Sequence, residues 1–272
     1  MWVLLLIGSI IIEVGLTCLI PHSKGYFFNL IEAHNSTLIW IGLAYYFGNI
    51  FVLELFQTFK PYSIIRYALE RRLKLTTTFN SIPPTYTSIS NFAQRIQEDI
   101  KLYLQNSISV YTEYAISGLI VVYLLITHHT EYILIGSAIL YSLLFVAIAY
   151  LFKPRLVKTE KTMQQNEAQF RLDINNLGFG LLPEVLLSNK KAANVRLSYG
   201  IFNKTQTAIM LALPYIVLLP FYLKSTITLG YLMEIATVFD LLVLNMAIII
   251  NLFPFLAQAK ASKERIDELN HK

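Results

Sequence analysis

Long apolar runs alternate along this chain with polar segments of two lengths, and that alternation predicts its elements. The runs cover residues about 2–20, 37–59, 107–127, 132–152, 207–223 and 226–257. A helix needs about 20 apolar residues to cross a hydrocarbon core of ~30 Å, so the pattern predicts six membrane-spanning helices. The first run is interrupted by Glu13 and has no basic segment before it. It therefore reads as a retained helix and not as a cleaved signal peptide, whose apolar region a glutamate would disrupt. Pro214 and Pro220 fall in the fifth run, where neighbouring helices can satisfy the freed carbonyls.

The polar segments sort by length. The short ones are a loop from Pro21 to Ser36, the turn His128-His129-Thr130-Glu131, and Lys224-Ser225. The sequon Asn35-Ser36-Thr37 is a common chance match and is set aside. The long segments are more structured. Lys60 to Leu75 is basic, Thr76 to Ser90 reads as a break because of its Thr, Ser and Pro content, and Asn91 to Asn106 reads as a polar helix. Lys153 to Arg171 has strong helix formers and no glycine, so the fourth helix is expected to leave the bilayer as a polar stalk. On that stalk Glu160, Gln164, Glu167 and Arg171 share one face, a spacing that equally suits a solvated helix. Gly178, Gly180 and Pro183 predict a bend over Leu177 to Lys191, followed by a returning helix over Ala192 to Gln206. Lys260 to Lys272 is an amphipathic tail.

Composition supports the membrane reading. The chain is 55% hydrophobic and 14% charged, with a mean hydropathy of +0.53, whereas soluble domains carry about 25% charged residues. The net charge of +5 is explained by topology and not by nucleic acid. Segments 60–106, 153–206 and 258–272 hold 7, 9 and 4 of the lysines and arginines, 20 of the 22. Basic residues mark the cytoplasmic side, so both termini and the long polar segments are expected there. Cys18, the single cysteine, lies in an apolar run and excludes a disulfide framework.

Candidate chemistry lies in the acids. Glu13, Glu54, Glu234 and Asp240 fall inside predicted spans, and Glu113 lies near the start of the third. A charged acid at a helix centre costs about 2.5–3.5 kcal/mol on insertion scales, so such residues usually face a cavity or a partner. Glu54 lies near the cytoplasmic end of its span. Glu234 and Asp240 are six residues apart and so on different faces; at most one is expected to face a central cavity unless the cavity is wide. No G-x-x-x-x-G-K-[ST] or H-E-x-x-H pattern occurs, and no nucleophile–base arrangement stands out, so an enzyme, a cofactor or a metal site is not expected.

Four stretches, in order along the chain, resemble one family. Asn91-Phe92-Ala93-Gln94-Arg95-Ile96-Gln97-Glu98-Asp99 resembles the "QR(I/V)xED" motif of SbmA/BacA-like peptide-antibiotic transporters, which are related to ABC transporter transmembrane domains. Asn166 to Arg171 resembles the family's "xEAx(F/Y)R", Thr226 to Gly230 with Ile235 to Phe239 resembles "TITLG…ITNVF", and Tyr26 to Ile31 resembles "FYDLI". The family's extra N-terminal membrane segment has no counterpart, so the chain is expected to match a six-helix core.

The resemblance implies an all-α membrane protein with an ABC-exporter-like (type 1) fold, one domain over 1–272, long cytoplasmic helical extensions, and a homodimer in the bacterial inner membrane. It also implies proton-driven uptake of peptides and peptide-like antibiotics. By position Glu98, Glu160 and Glu167 match family glutamates and Glu13 matches one in the corresponding helix; Gln94, Arg95, Asp99 and Arg171 belong to the motifs. There are departures. Ile108 stands where the family has a further glutamate, and Glu234 and Asp240 stand where it has glutamine and glycine. The expected partners are a second copy, a peptide or peptide-like substrate and protons, with no nucleic acid. The competing readings are the membrane subunit of an ABC transporter whose ATPase is a separate chain, and a non-transporting scaffold, which the acids disfavour.

Overall fold

The structure is a computed structural model that describes residues 2–79, 99–175 and 182–270. Among them are seven helices: α1 (Trp2–Glu32), α2 (Ile39–Phe79), α3 (Ile100–Thr127), α4 (Tyr132–Asn175), α5 (Leu182–Leu223), α6 (Leu229–Asn251) and α7 (Phe253–Asn270). Six of them, α1 to α6, carry stretches long and apolar enough to cross a membrane. The protein is an all-α, multi-pass membrane protein.

Two boundaries differ from those expected. Pro21 to Ser36 is not one loop, because α1 continues to Glu32 with Pro21 inside it. Proline removes one backbone hydrogen bond but does not end a helix that is packed on its neighbours. Pro21 and Ser23 are buried, and the Ser23 hydroxyl donates back to the Ile20 carbonyl at 3.1 Å. The second difference is at the end of the chain, where the sixth apolar run divides: α6 stops at Asn251 and α7 begins at Phe253. Pro61 and Pro154 likewise lie inside continuous helices. The stalk is therefore real: α4 runs unbroken to Asn175. At 1.5 Å per residue, α2, α4 and α5, with 41, 44 and 42 residues, far outrun a hydrocarbon core of ~30 Å. α5 is helical from Leu182, so the bend expected over Leu177 to Lys191 does not extend over Leu182 to Lys191, and its remainder, 177–181, lies outside the described residues. The break expected over Thr76 to Ser90 is helical as far as Phe79, where α2 ends; the rest of it, and residues 91–98 of the expected polar helix, lie outside the described residues.

α6 is the centre of the bundle. It packs on α1, α3, α4 and α5, and half of its apolar stretch is buried. Phe239, Val238 and Leu242 are fully buried against Ile116, Ile120 and Leu124 of α3, Leu134, Ile135 and Ala138 of α4, Met210 of α5 and Cys18 of α1. Lipid is as apolar as leucine, so close packing and interhelical hydrogen bonds hold such a core together, and small residues permit the approach. Ala138, Ser142 and Ala236 are fully buried, and Gly25 of α1 meets Gly230 of α6. α7 folds back along α3, where Asn106 Nδ2 donates to Gln258 Oε1 at 2.9 Å.

Candidate functional site

The site begins with a stripe on α1. Ser9, Glu13, Thr17, Pro21 and Gly25 recur every fourth residue and are all buried, which places polar and small side chains on one inward face. Glu13 is the charged member. Its Oε1 accepts from Lys60 Nζ of α2 at 2.9 Å, and the same Nζ donates to Glu113 Oε1 of α3 at 2.7 Å. The side chains are 5% (Glu13), 10% (Lys60) and 24% (Glu113) exposed, so Glu113 is the member nearest the surface. Among the described residues, Glu13 Oε2 is buried and has no hydrogen-bond partner, and neither has Ser117 Oγ, one turn along α3 from Glu113. Asn49 of α2 ties α2 to α1 by donating to the Leu16 carbonyl at 3.2 Å.

The chemistry of this triad follows from its charge. Two carboxylates and one ammonium carry a net −1 when all are ionised, and are neutral when one proton is bound. A net charge away from water is costly, so acids inside a membrane domain usually face a partner or a cavity, and here two of them share one ammonium.

A second polar cluster lies further along α1. There α1, α6 and the α3–α4 turn are laced together. Leu229 N–H donates to Glu32 Oε2 at 2.8 Å and Gly230 N–H to Asn29 Oδ1 at 3.0 Å, while Tyr231 N–H reaches Thr228 Oγ1 at 3.2 Å. Three orphan donors of the first turn of α6 are thereby satisfied, two of them by α1. Lys24 Nζ donates to Thr237 Oγ1 at 3.0 Å, and His22 Nδ1 lies 3.9 Å from Glu234 Oε1. The Tyr231 hydroxyl donates to Glu131 Oε1. Asp240 lies within electrostatic range of Lys24 and keeps its Oδ1 unpartnered. His128, at the turn, has its proton affinity lowered by burial, with Glu234 and Glu131 opposing that shift. Glu13 and Lys24 are eleven residues apart, about 16 Å along the helix, so α1 carries two separate ionic layers.

Residues 1–178 match the family described as ABC transporter transmembrane region 2. The chain belongs to that family. No curated protein matches it significantly. As a member of the ABC transporter transmembrane region 2 family, the protein is a transporter's membrane domain. The matched residues contain the whole Glu13–Lys60–Glu113 triad, whereas α5, α6 and α7 lie beyond the match.

The residues singled out from the sequence divide accordingly. Glu13 is buried in the triad, and Glu234 and Asp240 are on α6 in the second cluster. Although on different faces, both approach α1, one at His22 and one at Lys24, because α1 crosses α6 closely at Gly25 and Gly230. Asp99 is buried immediately before α3. Glu54 is exposed on α2. Glu160, Glu167 and Arg171 lie on the α4 stalk, but their side chains, with all of Gln94, Arg95 and Glu98, are outside the described residues.

Sequence reasoning missed the role of Lys60, which it assigned to the cytoplasmic basic segment. The available signal was the isolation of Lys60: the next basic residue is Arg66, and the residues before it are an apolar run. Glu113 was noticed only as an acid near a helix start. α3 begins at Ile100, so Glu113 is in fact nearly four turns into its helix.

Proposed function

We propose that this chain works as a homodimer in the bacterial inner membrane, with both termini in the cytoplasm, and moves peptides and peptide-like antibiotics inward at the expense of a proton gradient. The observation that carries this reading is the Glu13–Lys60–Glu113 triad, a buried site that is neutral only when it holds one proton. Protonation of Glu13 Oε2 removes the net charge and frees Lys60 to pair with Glu113 alone. Deprotonation restores the shared ion pair that ties α1, α2 and α3 together. A change in how three helices are tied is the kind of event that can bias a transporter between two packings. In a dimer, Glu113 would face a shared vestibule and Glu234 and Asp240 the opposite entrance; Glu98, Glu160 and Glu167 are further candidate proton carriers by their position in the sequence.

The test is uptake of a labelled peptide into proteoliposomes containing only this chain. Accumulation is expected to follow an imposed pH gradient and to collapse in Glu13→Gln. Uptake indifferent to the gradient rejects the coupling. Family membership favours one second reading, a membrane subunit served by an ATPase on another chain. Purification from native membranes with a stoichiometric ATP-binding partner, and uptake that requires ATP, would establish that reading instead.

A further inference from the structure

The extensions of α4 and α5 enclose a groove of about 630 Å³ on the basic side of the protein. The two helices run antiparallel in a fixed register. The Tyr141 hydroxyl donates to the Gln206 carbonyl at 2.6 Å, and one turn further on Phe145 stacks on Phe202 at 6.0 Å. Continued past the bilayer, that register brings Lys158 of α4 opposite Lys191 of α5, and both line the groove.

The lining has one electrostatic character. Beside the lysines stand Asn166, Asn194 and the hydroxyls of Thr159, Thr162 and Ser188, and among the described lining residues there is no carboxylate. The three hydroxyl hydrogens are already donated to carbonyls of their own helices, at 2.6, 3.0 and 2.9 Å. The free donors are therefore two ammonium groups and two side-chain amides. Among the described residues neither Lys158 nor Lys191 has an acidic partner. Two like charges converging on a groove repel each other until an anion enters. Leu187 and Val195 supply an apolar wall to the same space.

Depth narrows the ligand. The apolar run of α4 ends at Phe152, and Lys158 is six residues on, about 9 Å beyond the hydrocarbon edge. The headgroup layer is about 5–8 Å deep, so a lysine side chain there lies just outside the lipid phosphates and can reach back to them. We propose that this groove binds a phosphate group carried on an apolar or polyol body, held between Lys158 and Lys191. A phosphodiester offers two unesterified oxygens and a phosphomonoester three, so either can accept from both ammonium groups. An anionic phospholipid and a soluble phosphomonoester present the same chemistry here.

Native mass spectrometry of the purified full-length protein separates the two sources. The probes are phosphatidylglycerol against phosphatidylcholine, and glycerol 3-phosphate in solution. The test variant is K158Q/K191Q, and the control is K190Q/K204Q, which removes the same charge from exposed positions of α5 outside the groove. A loss of phosphatidylglycerol retention of about tenfold in the test variant only would assign the lipid source. Retention of phosphatidylglycerol in both variants, with glycerol 3-phosphate binding lost in the test variant alone, would assign the soluble one. The inference is overturned if both double variants behave alike. It is equally overturned if K158Q/K191Q changes only the oligomeric state, since the groove would then be a contact between copies of the chain.

Discussion

Replacing Lys60 by methionine would leave two carboxylates facing each other across the space that the ammonium filled. Both acceptor oxygens touch the same nitrogen, at 2.9 and 2.7 Å, so they lie no more than about 5.6 Å apart. At that separation, two full charges at an effective dielectric of about 20 repel by about 3 kcal/mol. The loss of the lysine's two hydrogen bonds adds to this, and removing one partner of a buried pair generally costs about 3–5 kcal/mol. Glu113 is partly exposed, which holds the expected loss near about 3 kcal/mol at pH 8. The repulsion can be relieved by a proton, so the folded variant binds protons more tightly than the unfolded chain. By linkage its stability then falls as pH rises and recovers as pH falls. The assay is thermal unfolding of the full chain in nanodiscs from pH 5 to 8, for wild type, K60M, and K60M combined with Glu13→Gln and Glu113→Gln. The deficit of K60M should shrink towards low pH, and the neutral triple variant should sit near wild type at every pH. A K60M protein as stable as wild type and indifferent to pH would refute the ionic triad.

Other outcomes follow from local geometry. Gly230→Ala would drive its Cβ into the Gly25 carbonyl oxygen and the Asn29 side chain, so α1 and α6 must part; a loss of about 3 kcal/mol or more in melting experiments is expected, against none for Gly8→Ala, which has nothing within 4 Å. Glu32→Ala removes an anion from the first turn of α6 and should cost about 0.3–1 kcal/mol, with the difference shrinking in high salt. His128 has a lowered folded pKa, so its contribution is present above the ordinary histidine range and is lost as pH falls; wild type should lose more stability than His128→Gln between about pH 6.5 and 5.

The helices were legible because a span must satisfy its whole backbone internally, and six apolar runs of sufficient length leave little choice. The continuous stalk through Pro154 was legible for a similar reason, since Lys153 to Arg171 contains nothing else that stops a helix. The extent of α1 was not. Pro21, His22, Ser23 and Lys24 look like a loop in sequence, and only packing on α6 makes a helix of them. Glu13 could be named as a candidate because a lone acid in an apolar run is conspicuous. Its partner could not, because Lys60 sits where topology already accounts for a basic residue, 47 positions away. Glu234 and Asp240 looked divergent on a helical wheel, which does not reveal where a second helix crosses.

The fourfold recurrence on α1 fixes more than a face. One residue inserted between Thr17 and Gly25 would rotate everything after it by about 100°, turning Gly25 away from Gly230 while Glu13 stayed on Lys60. Inserting four residues would nearly restore the phase but lengthen the rod by about 6 Å, and the caps on Leu229 and Gly230 would overshoot. This stretch of α1 therefore behaves as a gauge: relatives that keep both ionic layers should show substitutions here but no change in length.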